Sequence, residues 1–559
     1  KADFKQIGAR FRIDPVTARI IRNRGIEGEA AIDRYLNGTL DDLYDPMLLK
    51  DMERAVSILC EAVDTGKKIR IVGDYDIDGV CSTYILLQAF ERLGSDVDFE
   101  IPDRIKDGYG INESIIEQAH ADGVEVILTC DNGISAFHQV ELAKKYGMTV
   151  VITDHHEVPL DGEKEKIPPA DAVIDPKQAD CPYPFPEICG AVVAYKLVQV
   201  LYARRGVPQM EWLDLLEFAA IATVGDVMKL QDENRILVKY GLKKMAQTKN
   251  LGLRRLAEKN NLDLGAITAY HIGFVIGPCL NAGGRLKTAK EALALLRAQS
   301  EEEAERLAEE LKELNDTRKD MTEQGTEAAK LQVESWYQKD KVLVVFLPEC
   351  HESLAGIIAG RLREYYQKPA IVLTRGEEAV KGSGRSIDEY HMFKKLTEVS
   401  DLLLKFGGHP LAAGLSLEEK NIDEFRRRLN ENAGLTEEDF KAKVWIDVPM
   451  PVGYVTERLV RELSCLEPFG QGNEKPLFAE KSLRIRASRV LGRNRNVVKM
   501  TLEETDGHAI EALYFGDGTA FEEERAGRRE IDVVYYPDIN EYNGRKTLQA
   551  VIRRYKFRG

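Results

Sequence analysis

Short apolar runs alternate with amphipathic stretches between residues 55 and 230. "KKIRIVG", "DVDFEIP", "VEVILTC", "MTVVITD" and the shorter "DAVID" read as strands, and "STYILLQAFERLG", "NESIIEQAHADG" and "SAFHQVELAKKYG" between them carry helical spacing. Such runs between amphipathic helices predict an α/β domain with a parallel sheet covered on both faces. Helices then dominate, and the stretch from about 290 to 335 is long, charged and nearly free of Gly and Pro, which predicts a helix linking two domains. A second α/β unit begins at "KVLVVFLPE" and continues through "KPAIVLTRG" and "FGGHPLAAGLSL". Beyond about 440 the pattern turns to strands: "SLRIRASRVLG", "VVKMTLEET", "HAIEALYFG" and a final hairpin. Five strands separated by turns suit a small closed barrel such as an OB-fold. The expected division is a helical segment (1–54), an α/β domain (55–290), a connecting helix (291–335), a second α/β domain (336–438) and a barrel (439–559).

A length of 559 residues suits about three to four domains, and 44% apolar residues can fill real cores. No apolar run reaches the ~18 residues of a membrane span. The opening "KADFKQIGARFRIDP" lacks a signal peptide's apolar stretch, and the eight cysteines form neither a CxxC pair nor a zinc spacing. Both features lead to the expectation of a cytoplasmic protein with no membrane attachment. The net charge of −15 argues against non-specific coating of nucleic acid. The charge is unevenly spread, however. Residues 481–499 carry seven basic residues and no acid, and "GRKTLQAVIRRYKFRG" is also basic. Much of the acid lies in "SEEEAERLAEELKELNDTRKDMTEQ", so a local basic groove remains compatible with the total.

The chemistry-bearing residues fall at strand ends. "IVGDYDIDGV" puts Asp74, Asp76 and Asp78 at alternate positions after the first strand. Three such carboxylates repel one another unless a cation sits among them. An EF-hand loop starting at Asp74 would need Glu at its twelfth position, which here is Ile85, so that reading is rejected. "CDNGIS" places Asp131 after the third strand, "TDHHEVP" places Asp154, His155 and His156 after the fourth, and "VGDVM" adds Asp226 after an apolar helix. One Asp after a strand is more often a helix cap. Acids at several strand ends of one sheet point to a shared site, because ligands of parallel sheets bind beyond the carboxyl ends of the strands. Oxygen-rich ligation with one or two imidazoles suits Mn²⁺ or Mg²⁺, and the excess of carboxylates suggests two ions sharing a bridging Asp.

A second group of residues suits phosphate. "KGSGRS" offers Lys381, Ser383 and Arg385; "FGGHPLAAG" offers His409; "LNAGGRL" offers Asn281 and Arg285; "IPDRIKDGYG" offers Arg104. Gly-rich turns with a basic residue can cradle phosphate, although each is also an ordinary tight turn.

"DYDIDG", "CDNGIS", "TDHHEVP" and "VGDVM", in this order, resemble the four phosphoesterase motifs of the DHH family. "GPCLNAGGRL", "HESLAGIIAGRL", "GSGRS" and "FGGHPLAAGLS" look like its RecJ branch with a DHH-associated domain, and "LEPFGQGNEKPLF" with the following barrel resembles that branch's OB-fold region. The resemblance covers about residue 40 to the end. It implies a DHH phosphoesterase domain, a connecting helix, a DHH-associated domain and an OB-fold. It also implies a single-strand-specific 5′→3′ DNA exonuclease with two divalent ions, Mn²⁺ or Mg²⁺, held by Asp74, Asp76, Asp78, Asp131, His155 and Asp226, with Asp131 as the bridge. His156 would contact the scissile phosphate or assist the leaving group. Arg104, Ser383 and Arg385 match the family's pocket for the DNA 5′-phosphate. Asn281, Arg285, His351 and His409 would contact substrate or shape the groove, and Tyr75 or Tyr109 could stack a base. Single-stranded DNA with a 5′ end, a single-strand-binding protein, a RecQ-type helicase and roles in repair and recombination are implied in the same way, as is a monomer. Three positions depart from the pattern. Cys279 stands where Arg is expected, Cys350 where Trp is usual, and Asp175 where Asn or His is common. The competing readings are a DHH phosphodiesterase of short oligonucleotides or cyclic dinucleotides, which would not need the barrel, and a non-catalytic DNA-binding helicase subunit, which would have lost metal ligands.

Overall fold

The computed structural model describes residues 3–542 and 544–558. The first sheet contains β1 (Ile69–Val72), β2 (Val97–Glu100), β3 (Val126–Cys130), β4 (Thr149–Thr153) and β5 (Ala172–Ile174). All pair in parallel, in the order β2-β1-β3-β4-β5. Every residue of β1 and β3 is buried, as unbroken apolar runs require when helices cover both faces. On one face, helices Ile77–Arg92, Gly190–Arg205 and Leu216–Gly225 pack on one another. Because the strands are parallel, their carboxyl ends share one edge.

The helix expected over 291–335 is interrupted. A helix ends at Arg297, and Ser300 caps a new one, Glu301–Gln332, by accepting the Glu303 N–H at 3.2 Å. This second helix serves two cores. Leu307, Ala308 and Leu311 bury into the first domain, and Ala329 buries into the second. It therefore fixes one α/β domain against the other.

The second domain's sheet contains β6 (Leu343–Phe346), β7 (Ala370–Arg375), β8 (Val380–Arg385), β9 (Leu403–Gly408) and β10 (Ala412–Leu417). The order is β9-β10-β8-β7-β6, with only the β6–β7 pair parallel. The barrel is β11 (Phe478–Leu491), β12 (Val497–Glu503), β13 (Ala509–Phe515), β14 (Glu530–Tyr542) and β15 (Arg545–Phe557), and it closes where β14 pairs back onto β11. The N-terminal segment is helical, but it is not a free-standing unit. Ile20, Ile21, Ile32 and Tyr35 share a core with Phe478, Ile485 and Tyr535 of the barrel. The basic run 481–499 is partly neutralised, with Arg486 against Glu503 at 3.5 Å and Lys499 against Glu511 at 2.9 Å.

Candidate active site

The loop after β1 folds back on the start of the next helix, and glycine permits it. A Cβ on Gly79 would lie 2.3 Å from the Asp74 carbonyl oxygen. Asp76 caps helix Ile77–Arg92, its Oδ1 accepting from the N–H groups of Asp78 (2.9 Å) and Gly79 (3.1 Å). Asp78 is fully buried and accepts the N–H groups of Gly190 and Ala191, each at 2.7 Å. Its carboxylate thus sits on the N-terminus of helix Gly190–Arg205, where backbone donors favour negative charge. Asp74 accepts one N–H, from Gly110 at 3.2 Å, and its buried Oδ2 has no partner among the described residues.

Asp131 leaves β3 in the left-handed region (φ 60°). A Cβ on Gly190 would stand 2.7 Å from the Asp131 Cβ, so glycine there is what lets the helix N-terminus approach. The His155 Nε2 lies 3.1 Å from Asp131, 3.4 Å from Asp78 and 3.8 Å from Asp226. Ligand atoms converge in three overlapping groups: Asp74, Asp76 and Asp131; Asp78, His155 and Asp226; and Asp131, His155 and His156. Asp131 belongs to two of them.

Asp154 does other work. Its oxygens accept the Ile134 N–H at 2.9 Å and the His155 N–H at 2.8 Å, and hold the His156 Nδ1 at 2.7 Å. Burial opposes charge on Asp154, but the bond from His156 prevails and keeps its carboxyl below the usual range. Burial likewise opposes charge on His156, but Asp154 outweighs it and pushes the imidazole up to about 9. Tyr109 donates to the Asp131 carbonyl at 2.6 Å and sits 3.1 Å from the His156 ring. Tyr75 lies beneath the Arg104 guanidinium at 4.2 Å.

Burial and mutual repulsion push the other acids the opposite way. Asp74 rises through desolvation and Asp76; Asp131 rises through desolvation and Asp78, Asp76, Asp74 and Asp226. Asp226 reaches about 8 through desolvation and Asp78. Burial drives His155 down, toward the neutral imidazole that ligates metals. Two like charges ~4 Å apart at an effective dielectric of about 20 cost about 4 kcal/mol. An unpartnered Asp74 oxygen, neutral imidazole and crowded carboxylates therefore fit divalent cations with oxygen preference.

Beside this edge the charge is reversed. Arg285 donates to the Ser353 carbonyl of the second domain at 3.1 Å, Arg318 to Asn315, and Arg385 to Ser383 and the Gly384 carbonyl. Together with Arg104, none of these pairs with a carboxylate among the described residues. Burial, Arg104 and Arg318 bring Arg285 down to about 10; burial and Arg363 lower Arg385. A Cβ on Gly356 would press 2.8 Å from the Arg385 guanidinium, so this glycine gives the side chain its room. Asn281, Arg285 and Arg318 line a cavity of about 100 Å³ beside Gly225. The His351 Nδ1 is tied to the Ser353 hydroxyl at 2.7 Å. Lys381 is paired with Glu352 at 3.0 Å. The exposed His409 side chain bonds to none of the other candidates among the described residues, although its N–H joins Ala412 across the turn.

The departures are also resolved. Cys279 is fully buried against the connecting helix, with the Asn315 Nδ2 at 3.4 Å, so it contributes nothing to the phosphate face. Cys350 lines an apolar groove of about 330 Å³ along that helix. Asp175 is buried, and desolvation with nearby Asp154 pushes it to about 7. Sequence reasoning missed Arg318, one charge among many on the connecting helix. It also missed the Gly190–Ala191 donors, whose only signal is a glycine opening an apolar helix.

Family models match in three places: the DHH family N-terminal domain over residues 68–223, the DHHA1 domain over 339–434 and the RecJ OB domain over 446–554. The single-stranded-DNA-specific exonuclease RecJ of Bacillus subtilis is 36% identical over 553 residues, covering 98% of this chain and 69% of that protein. The RecJ of Escherichia coli is 34% identical over 563 residues, covering 97% and 95%. The crystal structure of RecJ in complex with Mn²⁺ from Thermus thermophilus superposes with a TM-score of 0.84 at 28% identity, covering 100% of this chain and 78% of that one. With all three domain types in place and these relatives matched along nearly its whole length, the chain belongs to the RecJ family of DHH phosphoesterases.

Proposed function

We propose that this chain is a metal-dependent exonuclease that hydrolyses single-stranded DNA from its 5′ end and releases mononucleotides. The observation that carries this reading is the place of Asp131, grouped with Asp74 and Asp76 and 3.1 Å from His155 of the Asp78–His155–Asp226 group, at an acidic edge beside arginines without carboxylate partners among the described residues. Asp74, Asp76, Asp78, Asp131, His155 and Asp226 would hold two divalent cations, Mn²⁺ or Mg²⁺, which supply charge neutralisation and an activated water. Asp131 contributes to both positions. His156, charged through Asp154, donates a hydrogen bond to the scissile phosphate and a proton to the leaving oxygen. Tyr109 steadies both the Asp131 backbone and the His156 ring. Arg104, Ser383 and Arg385 hold the terminal 5′-phosphate, which sets where cutting begins. Asn281, Arg285 and His351 line the path of the strand, and His409 sits at its margin. The barrel delivers single strand by phosphate contact and stacking, so binding weakens with salt.

Membership of this family supports a place in DNA repair and recombination, downstream of a RecQ-type helicase and in company with single-strand-binding protein. Eight free cysteines support a reducing, cytoplasmic setting. The test is a time course on 5′- and 3′-labelled single strands with Mn²⁺, run beside Asp131→Ala. Immediate release of the 5′ label as mononucleotide, stepwise shortening of the 3′-labelled strand and an inactive variant are expected. Binding with both labels intact would overturn the proposal in favour of a binding subunit. Efficient cleavage of dinucleotides with no attack on long strands would favour the oligonucleotide phosphodiesterase.

A further inference from the structure

Asp226 is held unlike its neighbours. Asp74, Asp76 and Asp78 each accept backbone N–H groups. Among the described residues no hydrogen-bond donor reaches the Asp226 carboxylate; the His155 Nε2 stands 3.8 Å away. Its position therefore depends on its backbone. On the N-terminal side that backbone is the end of helix Leu216–Gly225. On the C-terminal side it is a short loop in which Val227 adopts φ 57°. A β-branched residue rarely takes this left-handed conformation, and it persists only where the surroundings enforce it.

The helix's own C-terminal cap holds Val227, with the Val227 N–H on the Val224 carbonyl at 3.2 Å and the Met228 N–H on the Thr223 carbonyl at 3.0 Å. The far end of the loop is braced by the segment that leads into the barrel. The Leu230 N–H donates to the Gln471 carbonyl at 2.7 Å, and the Gln231 Nε2 donates to the Gly472 carbonyl at 2.9 Å. Leu230 is buried, and a Cβ on Gly470 would lie 2.7 Å from its Cδ1 and 3.1 Å from its Cγ. The segment is itself rigid. Gly470 and Asn473 exchange backbone bonds at 3.1 Å, and the buried Asn473 donates to the Leu466 and Pro468 carbonyls, each at 2.8 Å. The Asn473 Oδ1 accepts from the Tyr35 hydroxyl at 2.8 Å and from Arg24 at 2.7 Å, which binds the N-terminal helices into the same mount. Arg235, buried on the following helix, donates to the carbonyls of Tyr35, Cys465 and Leu466.

We infer that the turn Gly470–Asn473 is a positioning element for Asp226, so that the seating of the barrel on the catalytic domain sets occupancy of the cation position shared by Asp78, His155 and Asp226. This rests on the ligand assignment proposed above and adds to it a dependence on a remote domain. Mn²⁺ binding is measured by calorimetry on the full chain without DNA, for wild type, Asp226→Ala, Gly470→Val and the double variant Gly470→Val with Leu230→Ala. Gly470→Val should weaken one of two Mn²⁺ sites about 10-fold, the range for loss of an outer support. Leu230→Ala, which restores the room, should return that site to within about threefold of wild type. In hydrolysis, half-saturating Mn²⁺ should rise by the same factor, with kcat at saturating Mn²⁺ and affinity for single-stranded DNA nearly unchanged. Should Gly470→Val fail to fold, Gly470→Ala takes its place with a shift of about threefold expected. If Asp226→Ala retains both Mn²⁺ sites at wild-type affinity, the ligand assignment fails. If Asp226→Ala loses one site and Gly470→Val (or Gly470→Ala) keeps both unchanged, the positioning inference alone is overturned.

Discussion

The acidic edge of the first α/β domain and the arginine cluster beside it are built by one rule with opposite signs. On the first, Asp74, Asp131 and Asp226 are crowded until burial and mutual repulsion raise all three. On the second, burial and neighbouring arginines lower Arg285 and Arg385. Each surface is electrostatically frustrated without its ligand, cations in one case and phosphates in the other. The two differ in how their charges are held. Asp74, Asp76 and Asp78 are fixed by backbone N–H groups, whereas the arginines rest on carbonyls and hydroxyls. The loop of Asp74, Asp76 and Asp78 is thus set before its ligand arrives, as metal geometry demands, whereas Asp226 takes its place from its backbone alone.

The largest break in this comparison is expected from Asp131→Ala. Removal of the shared ligand should lower single-turnover hydrolysis by ~10³-fold or more while affinity for single-stranded DNA stays within about threefold. A loss of binding in parallel with rate would mean that the two surfaces are not separable. Arg385→Gln should lower kcat/KM on 5′-phosphorylated strands by about 10–100-fold, the worth of a charge-assisted bond, and flatten the salt dependence of binding by about 0.7 in log–log slope. Strands with a 5′-hydroxyl should be nearly unaffected, so equal losses on both ends would remove Arg385 from the phosphate pocket. In thermal melts, saturating Mn²⁺ should raise the midpoint by about 5 °C. Asp131→Asn should shrink that gain and, without metal, melt above wild type, because one repelling charge is gone; a lower metal-free midpoint would contradict the frustration argument.

The smallest effect isolates desolvation from repulsion. Glu217 is buried at 3% exposure and burial raises it to about 7, with Thr248 its only hydrogen-bond donor among the described residues. Its folded value lies above the ordinary one of 4.5, so its stabilising contribution is present below that pH and is lost as pH rises through 7. Glu217→Gln should therefore melt about 2–4 °C above wild type at pH 8, and the difference should vanish near pH 5. A pH-independent difference would mean that the carboxyl is charged throughout.

Much of the site was legible before any fold. Asp74, Asp131 and His155 follow apolar runs of strand length, and parallel strands must bring their carboxyl ends to one edge. The connecting helix was legible as charged and Gly-poor, although its interruption at Ser300 was not. A serine followed three residues later by glutamate is a cap signal, but it was masked by the long run of charge.

The sequence by itself determined the order of the domains, the strand-end positions of the acids and the identity of nearly every candidate ligand, because period and residue type are local properties. Only the tertiary structure decided that the first turn of a helix over a hundred residues away holds Asp78, and that Cys279 turns from the cleft into the helix interface. It also decided that Arg318 joins the cavity beside Asp226's helix, that the N-terminal helices complete the barrel's core, and that a turn near residue 471 supports the loop of Asp226. A hydrophobic period says which face of an element is buried but not against what, and these contacts form only when distant elements pack.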